Sequence, residues 1–178
     1  VKLTYTLVPS LLVQLEAFAA NQARDRTLVL SLKPAAQLTD EEKRFILAHF
    51  FHAQRARMIE PYPRYAELLR RAEQAGGNGG AAKALSEADF RDLQVWHKLV
   101  WIDPIYADRD PRVRALFAKG RDFSEQDKQT LRSVELEILG RVVSEYRAGA
   151  ERGQIEISTS PFYHPILPLL CDTDVYLR

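Results

Sequence analysis

The sequence predicts an α/β fold dominated by helix, in which two strands bracket a long helical excursion. Three observations predict it. The opening stretch KLTYTLV alternates, with Leu3, Tyr5 and Leu7 on one face and Lys2, Thr4 and Thr6 on the other, which is the period of a strand with one apolar side. From residue 24 to 152, apolar residues recur at helical spacing in segments set off by caps and prolines. QIEIS then alternates again, directly after Gly153.

Pro9 suits the first turn of a helix, because its missing N–H would be unpaired there in any case. Leu11, Leu12, Leu15 and Phe18 fall on one stripe, so a helix is predicted to run to about Ala23. Strand followed directly by helix is the opening half of a βα unit. TLVLSLK reads either as a short strand or as a buried helical turn, which a short apolar run does not separate by period. Pro34 ends it. Thr39 and Glu42 form a capping box ahead of a helix predicted from Asp40 to about Met58, with Phe45, Ile46, Phe50 and Ala53 turned inward. PYPRY interrupts it, and a shorter helix follows from Pro63 to Gln74.

AGGNGGAAK carries four glycines in five positions, a composition that is costly to order, and is expected to be a flexible surface loop between helices. Ser86 with Asp89 caps a helix through DFRDLQVWHKLVWI. It stops before Asp103-Pro104, since the residue preceding a proline disfavours helix. Asp110-Pro111 restarts a short helix that Gly120 ends. Ser124 caps the longest helix, from Glu125 to about Arg152, with Leu131, Val134, Ile138, Val142 and Tyr146 on its stripe and Gly153 at the C-cap position. No internal repeat is evident.

The composition bounds the function. With 178 residues, 46% hydrophobic and 10% aromatic, the chain can bury a core. A net charge of +1, with arginines mixed among acids, argues against nucleic acid as a partner. One cysteine, Cys171, excludes an internal disulfide and a cysteine-rich zinc site, and fits a reducing, cytoplasmic location. No window holds the ~18 consecutive apolar residues of a membrane helix, and no signal-peptide pattern is present. Both ends read as cut, so a segment of a longer protein is expected.

Several residues are candidates for chemistry. In QIEIS, Ile155 and Ile157 share one face, and Gln154, Glu156 and Ser158 share the other. In a barrel of parallel strands the isoleucines belong against the outer helices, which turns Glu156 inward near the C-terminal strand end, where barrel enzymes build their sites. The other reading is an edge strand with a solvated glutamate. His164, in SPFYHP, lies between two prolines that stiffen the turn. With Phe162 and Tyr163 it forms either a ligand wall or a packed turn. His49 and His52 share a helix face at a spacing that can hold a metal, but no third ligand is evident and ordinary surface histidines are the preferred reading. Trp96 and Trp101 lie on one helix and can stack on sugar rings or fill the core. GGNGG lacks the following Lys-Ser/Thr of a phosphate loop. Cys171 has no base partner beyond His164.

These residues form a pattern. GQIEISTSPFYHPILPLL resembles the second short motif of glycosyl hydrolase family 57, a Gly-Gln-x-Glu-Ile block followed by an aromatic-His-Pro turn. VKLTYTLVPSLLVQLEAF, LTDEEKRFIL, PYPRYAELL and DLQVWHKLVWIDP are similar to the region preceding that motif in the amylase-like branch. The similarity spans most of the chain. It implies a partial, distorted (β/α)7 barrel in which residues 1–178 form a single incomplete domain and residues 24–152 a helical insertion between two barrel strands.

The resemblance also implies a reaction, cleavage or transfer of α-glucan chains with retention, in which a Glu nucleophile and an Asp acid–base act in turn. In the family those residues come from motifs absent from this sequence, so no catalytic residue is expected within it and the segment alone is expected to be inactive. The resemblance assigns Glu156 to support of the active site by holding sugar hydroxyls, and His164, with Tyr163, to the cleft wall. Trp101 is a further substrate-binding candidate.

The chemistry requires no cofactor and no metal. The expected partner is an α-glucan or oligosaccharide, and open strand edges favour self-association. Two alternatives remain. One is a helical interaction or carbohydrate-binding module without chemistry. The other is a metal-dependent carbohydrate hydrolase or deacetylase, for which Asp172, Asp174 and His164 would be the ligands.

Overall fold

A computed structural model describes residues 3–76, 78–166, 170, 171 and 174. Its elements in chain order are β1 (Leu3–Leu7), α1 (Pro9–Ala19), α2 (Arg26–Leu32), α3 (Asp40–His49), α4 (Pro63–Gln74), α5 (Asn78–Ala84), α6 (Glu87–Leu99), α7 (Pro104–Arg109), α8 (Pro111–Lys119), α9 (Glu125–Glu151) and β2 (Ile155–Thr159). The class is helix-dominated α/β with a small parallel sheet of two strands. No described helix is long and apolar enough to cross a membrane. The chain divides into two compact units, residues 1–24 with 135–178, and residues 25–134.

In the unit of residues 25–134, α6 carries the core. Phe90, Leu93, Trp96 and Leu99 are all buried on it, with Ile46, Phe50, Tyr65 and Leu68 among their buried companions. The Trp96 indole donates to the Gly120 carbonyl at 3.0 Å, so this tryptophan fills the core rather than facing solvent. Three buried charges lock α4 to α6. Arg64 donates to Asp92 and Asp89, each at 2.7 Å, and Asp92 also accepts the Phe123 amide at 2.9 Å. Burial alone would raise the Asp89 pKa, but Arg71, Ser86 and Arg64 outweigh it and hold the group at about 2.

One open reading is resolved and three expectations change. TLVLSLK, open between a short strand and a buried helical turn, is helical. Asp25 caps α2 by accepting the Leu28 amide at 2.6 Å. Its last carbonyls are satisfied from afar, Leu30 and Lys33 by the Gln94 amide at 2.6 and 2.9 Å, and Lys33 again by the Lys128 ammonium at 2.7 Å. Helix α3 begins at its expected capping box but ends at His49, not near Met58. The Phe50 carbonyl, which would bond the next turn, is taken by the Tyr65 hydroxyl and by His97. A single wide turn, Arg55–Ile59, fills part of the gap.

AGGNGGAAK is largely helix. A Cβ on Gly80 would lie 1.8 Å from the Ala75 carbonyl oxygen, so that glycine permits close backbone approach, and Ala81 and Ala82 behind it are buried. The stretch after Asp103-Pro104, left without an element by the sequence, forms α7, capped by Asp103 accepting the Ile105 amide at 2.8 Å. The other caps stand where expected, at Ser86, Asp110 and Ser124, and Gly120 closes α8 at φ 68°.

Candidate functional site

The other unit is built on the β1–β2 pair. The strands are parallel, and the register sets Leu3 against Ile155, Thr4 against Glu156, Tyr5 against Ile157 and Thr6 against Ser158. Alternation then sorts the sheet into two faces. The apolar face meets the later turns of α9. The Tyr5 and Tyr146 rings meet edge-on at 5.4 Å, and Leu7, Leu12, Val143, Ala150 and Ile157 help line a cleft of about 300 Å³. The isoleucines therefore face helix, as the alternation of QIEIS requires. In α1 the expected stripe is only partly covered, for Leu11 is exposed while Leu12, Leu15 and Phe18 are half-buried.

The opposite face is polar and open. The Thr4 hydroxyl donates to Glu156 Oε2 at 3.4 Å, a long bond. The Thr6 and Ser158 hydroxyls bond each other at 2.7 Å. A row of hydroxyls thus flanks one carboxylate. Thr4, Thr6 and Ser158 were not singled out from the sequence as a group. The signal was present in the polar positions of the two alternating stretches, and only the strand register joins them.

The turn after β2 is fixed by its own hydrogen bonds. His164 adopts a left-handed φ of 54°, uncommon for a residue with a side chain. Its amide donates to the Pro161 carbonyl at 2.8 Å, and the Ser10 amide of α1 donates to the Phe162 carbonyl at 3.1 Å. His164 Nδ1 lies 2.9 Å from the Ser160 hydroxyl. Whichever of the two is donor, that contact leaves Nε2 as the outward ring nitrogen. Phe162 and Tyr163 meet edge-on at 4.8 Å, and Tyr163 is 83% exposed.

Glu156, Tyr163 and His164 thus belong to one unit and follow one another along β2 and its turn. Trp101 belongs to the other unit, where it is 62% exposed just past the end of α6. His49 and His52 are exposed, with rings edge-on at 5.4 Å. No three His, Cys, Asp or Glu side chains among the described residues are placed to hold a metal. Cys171 is exposed, and Asp172 lies outside the described residues.

A glutamate that accepts from a neighbouring hydroxyl, on a strand that leads into a turn bearing an exposed aromatic ring, is suited to a polyhydroxylated ligand. Comparison with known proteins points the same way. The family model described as glycosyl hydrolase family 57 matches residues 11–176, nearly the whole chain, and the chain belongs to that family. No curated protein and no solved structure matches it.

Proposed function

We propose, with membership of glycosyl hydrolase family 57 as the premise, that residues 1–178 form part of the substrate cleft of a retaining enzyme that hydrolyses or transfers α-glucan chains. β1 and β2 are then neighbouring strands of a distorted seven-stranded barrel, and residues 24–152 a helical insertion between them. The observation that carries this reading is the place of Glu156. It stands on the open polar face of a parallel strand pair, opposite Thr4, four residues before the fixed Ser160–His164 turn.

Glu156 acts as a holder of sugar hydroxyls. An ionised carboxylate offers about four acceptor positions, and the weak Thr4 bond engages one of them. The remainder can take the vicinal hydroxyls of a glucose unit through charge-assisted hydrogen bonds, which are short and directional. His164 presents Nε2 to the same ligand, and Tyr163 supplies a ring face at the wall. The nucleophile and the acid–base, about 5–5.5 Å apart in a retaining enzyme, come from family motifs that residues 1–178 do not contain.

One experiment tests this reading. Reducing-end release from amylose, which reads hydrolysis, and redistribution of its chain lengths, which reads transfer, are measured for residues 1–178, and for a chain that also carries those motifs, with Glu156 or with Glu156→Gln. The shorter chain is expected to give no turnover. In the longer one, Glu156→Gln is expected to lower kcat/KM by about 10- to 100-fold, matching one lost hydrogen bond to a charged group at about 1.5–3 kcal/mol. Turnover by residues 1–178, or unchanged activity of the glutamine variant, would overturn the proposal.

A further inference from the structure

A cleft of about 550 Å³ opens in the unit of residues 25–134, beside the start of α4 and the end of α8, a size within the usual range for small-ligand sites. Its floor is aromatic. The Tyr62 ring lies 4.8 Å from Trp96 and 5.4 Å from Phe117, tilted by 35° and 31°. Trp96 is buried and tied to the Gly120 carbonyl, so the floor is held in place from below. Arg70, Lys119 and Arg121 stand around it.

The charges in this cleft are unequally engaged. Arg64 is taken up by Asp89, Asp92 and Glu67, and Lys119 by Asp127. Glu67, the acid that lines the cleft, is held by Arg64 at 2.9 Å and Arg71 at 3.7 Å. Arg121 has a 3.5 Å contact with Asp122, both side chains being well exposed. Arg70 makes no ion pair among the described residues. Two guanidinium groups are therefore available in a cleft that also has aromatic walls, while the acid that lines it is already neutralised.

We propose that this cleft binds a saccharide bearing a phosphomonoester, with the phosphate on Arg70 and Arg121 and the pyranose ring on Tyr62 and Phe117. A phosphomonoester carries about 1.5–2 negative charges at neutral pH, and the planar guanidinium fork pairs with its oxygens two at a time. The C–H face of a sugar ring packs on an aromatic face. The floor is not flat, with Tyr62 tilted 35° to Trp96 and 31° to Phe117 and those two rings at 61° to each other, which suits a puckered ring better than a flat nucleobase. A second cleft of about 230 Å³ shares Tyr62 and Phe117 and adds Asp108 and Arg114. It gives a second ring a place to sit, which favours a phosphorylated glucan chain over a free sugar phosphate.

Calorimetric titration of residues 1–178 tests the site with glucose 6-phosphate, a 6-phosphorylated maltodextrin, maltose, inorganic phosphate and adenosine monophosphate. The two phosphosugars are expected to bind, the maltodextrin more tightly. The combined Arg70→Ala and Arg121→Ala variant, changed only at exposed positions, is expected to lose at least tenfold in affinity with an unchanged thermal transition. Equal binding by the variant, or maltose or inorganic phosphate binding as well as glucose 6-phosphate, would overturn the site. Tighter binding of adenosine monophosphate would replace it with a nucleotide site. Equal affinity for the two phosphosugars would overturn the assignment to a glucan chain. Failure of any of these leaves the reading of Glu156 untouched, since that residue belongs to the other unit.

Discussion

The two units solve the folding problem to different degrees. Every buried apolar side chain among the described residues, from Leu28 to Val134, lies in residues 25–134. Nine of the twelve large apolar side chains that stand exposed among the described residues lie in the other unit, Leu3, Tyr5, Ile157 and Tyr163 among them. The helical unit also pairs most of its buried polar groups, the His97 Nδ1 atom being an exception. Gln94 and Lys128 reach the last carbonyls of α2, and Asp92 gathers Arg64 with the amides of Asp122 and Phe123. The sheet unit has one strand pair, and a two-stranded sheet is marginal in water without further cover. Stability is therefore concentrated in one unit and the candidate sugar-holding face in the other. That separation frees the open polar face around Glu156 from carrying the fold.

The contrast predicts where substitutions hurt most. Asp92→Ala should have the largest effect. It removes a fully buried carboxylate and leaves Arg64, itself 8% exposed, sharing Asp89 with Arg71. Breaking one side of a buried ion pair costs about 3–5 kcal/mol, so a urea titration followed by tryptophan fluorescence should show a loss of that order. A loss under about 1 kcal/mol, typical of an exposed pair, would remove the distinction between the units.

Acid should act on the helical unit next. His97 stacks on Phe50 at 4.0 Å, and its Nδ1 is buried without a hydrogen-bond partner among the described residues. Burial, together with the nearby Lys98 charge, lowers its pKa from 6.5 to about 4, against a hydrogen bond to the Phe50 backbone that favours the proton. The folded state thus prefers the neutral ring. Its contribution is complete above pH 6.5 and is lost as pH falls toward 4, by up to about 3 kcal/mol. Below pH 3.8, Asp89 adds a second loss that runs down to about pH 2. Stability measured against pH should fall along both limbs. His97→Phe, which keeps a ring on Phe50, should flatten the upper limb alone. An unchanged upper limb in that variant would assign it to another group.

What the sequence revealed and what it hid follow the range of the interactions. Local chemistry was legible. The boxes at Thr39 and Ser86 cap their helices, Pro63 opens α4, and Gly120 and Gly153 take positive φ where helices end. The parity of QIEIS correctly turned Ile155 and Ile157 to the helix side and Glu156 away. Long-range chemistry was not legible. The sequence leaves α2 open between strand and helix because a short apolar run has no decisive period. Partners 64 and 95 residues away complete its end as a helix. α3 stops early because Tyr65 and His97 claim the carbonyl of Phe50, the residue that follows it. At the candidate site, the glutamate and the aromatic turn were visible in the sequence. The Thr4 bond needed the strand register, and the Ser160–His164 contact needed a left-handed backbone at His164.

The smallest prediction tests the sheet unit from the other direction. Gly149 lies inside α9, where glycine is about 0.5–1 kcal/mol worse than alanine. A Cβ there would come 3.2 Å from the Ile155 Cδ1 atom, close enough to require movement. In a tightly filled core that crowding costs about 1–3 kcal/mol and the substitution destabilises. Here the obstacle is the far end of a flexible side chain, on a strand whose cross-strand neighbours Leu3 and Tyr5 are exposed, so the isoleucine can turn aside at little cost. Gly149→Ala is therefore expected to stabilise by up to about 1 kcal/mol, read as slower amide exchange in the last turns of α9 and in β2. A net destabilisation would mean that this strand is packed as firmly as the helical core, and the contrast between the units would then rest on α6 and its partners alone.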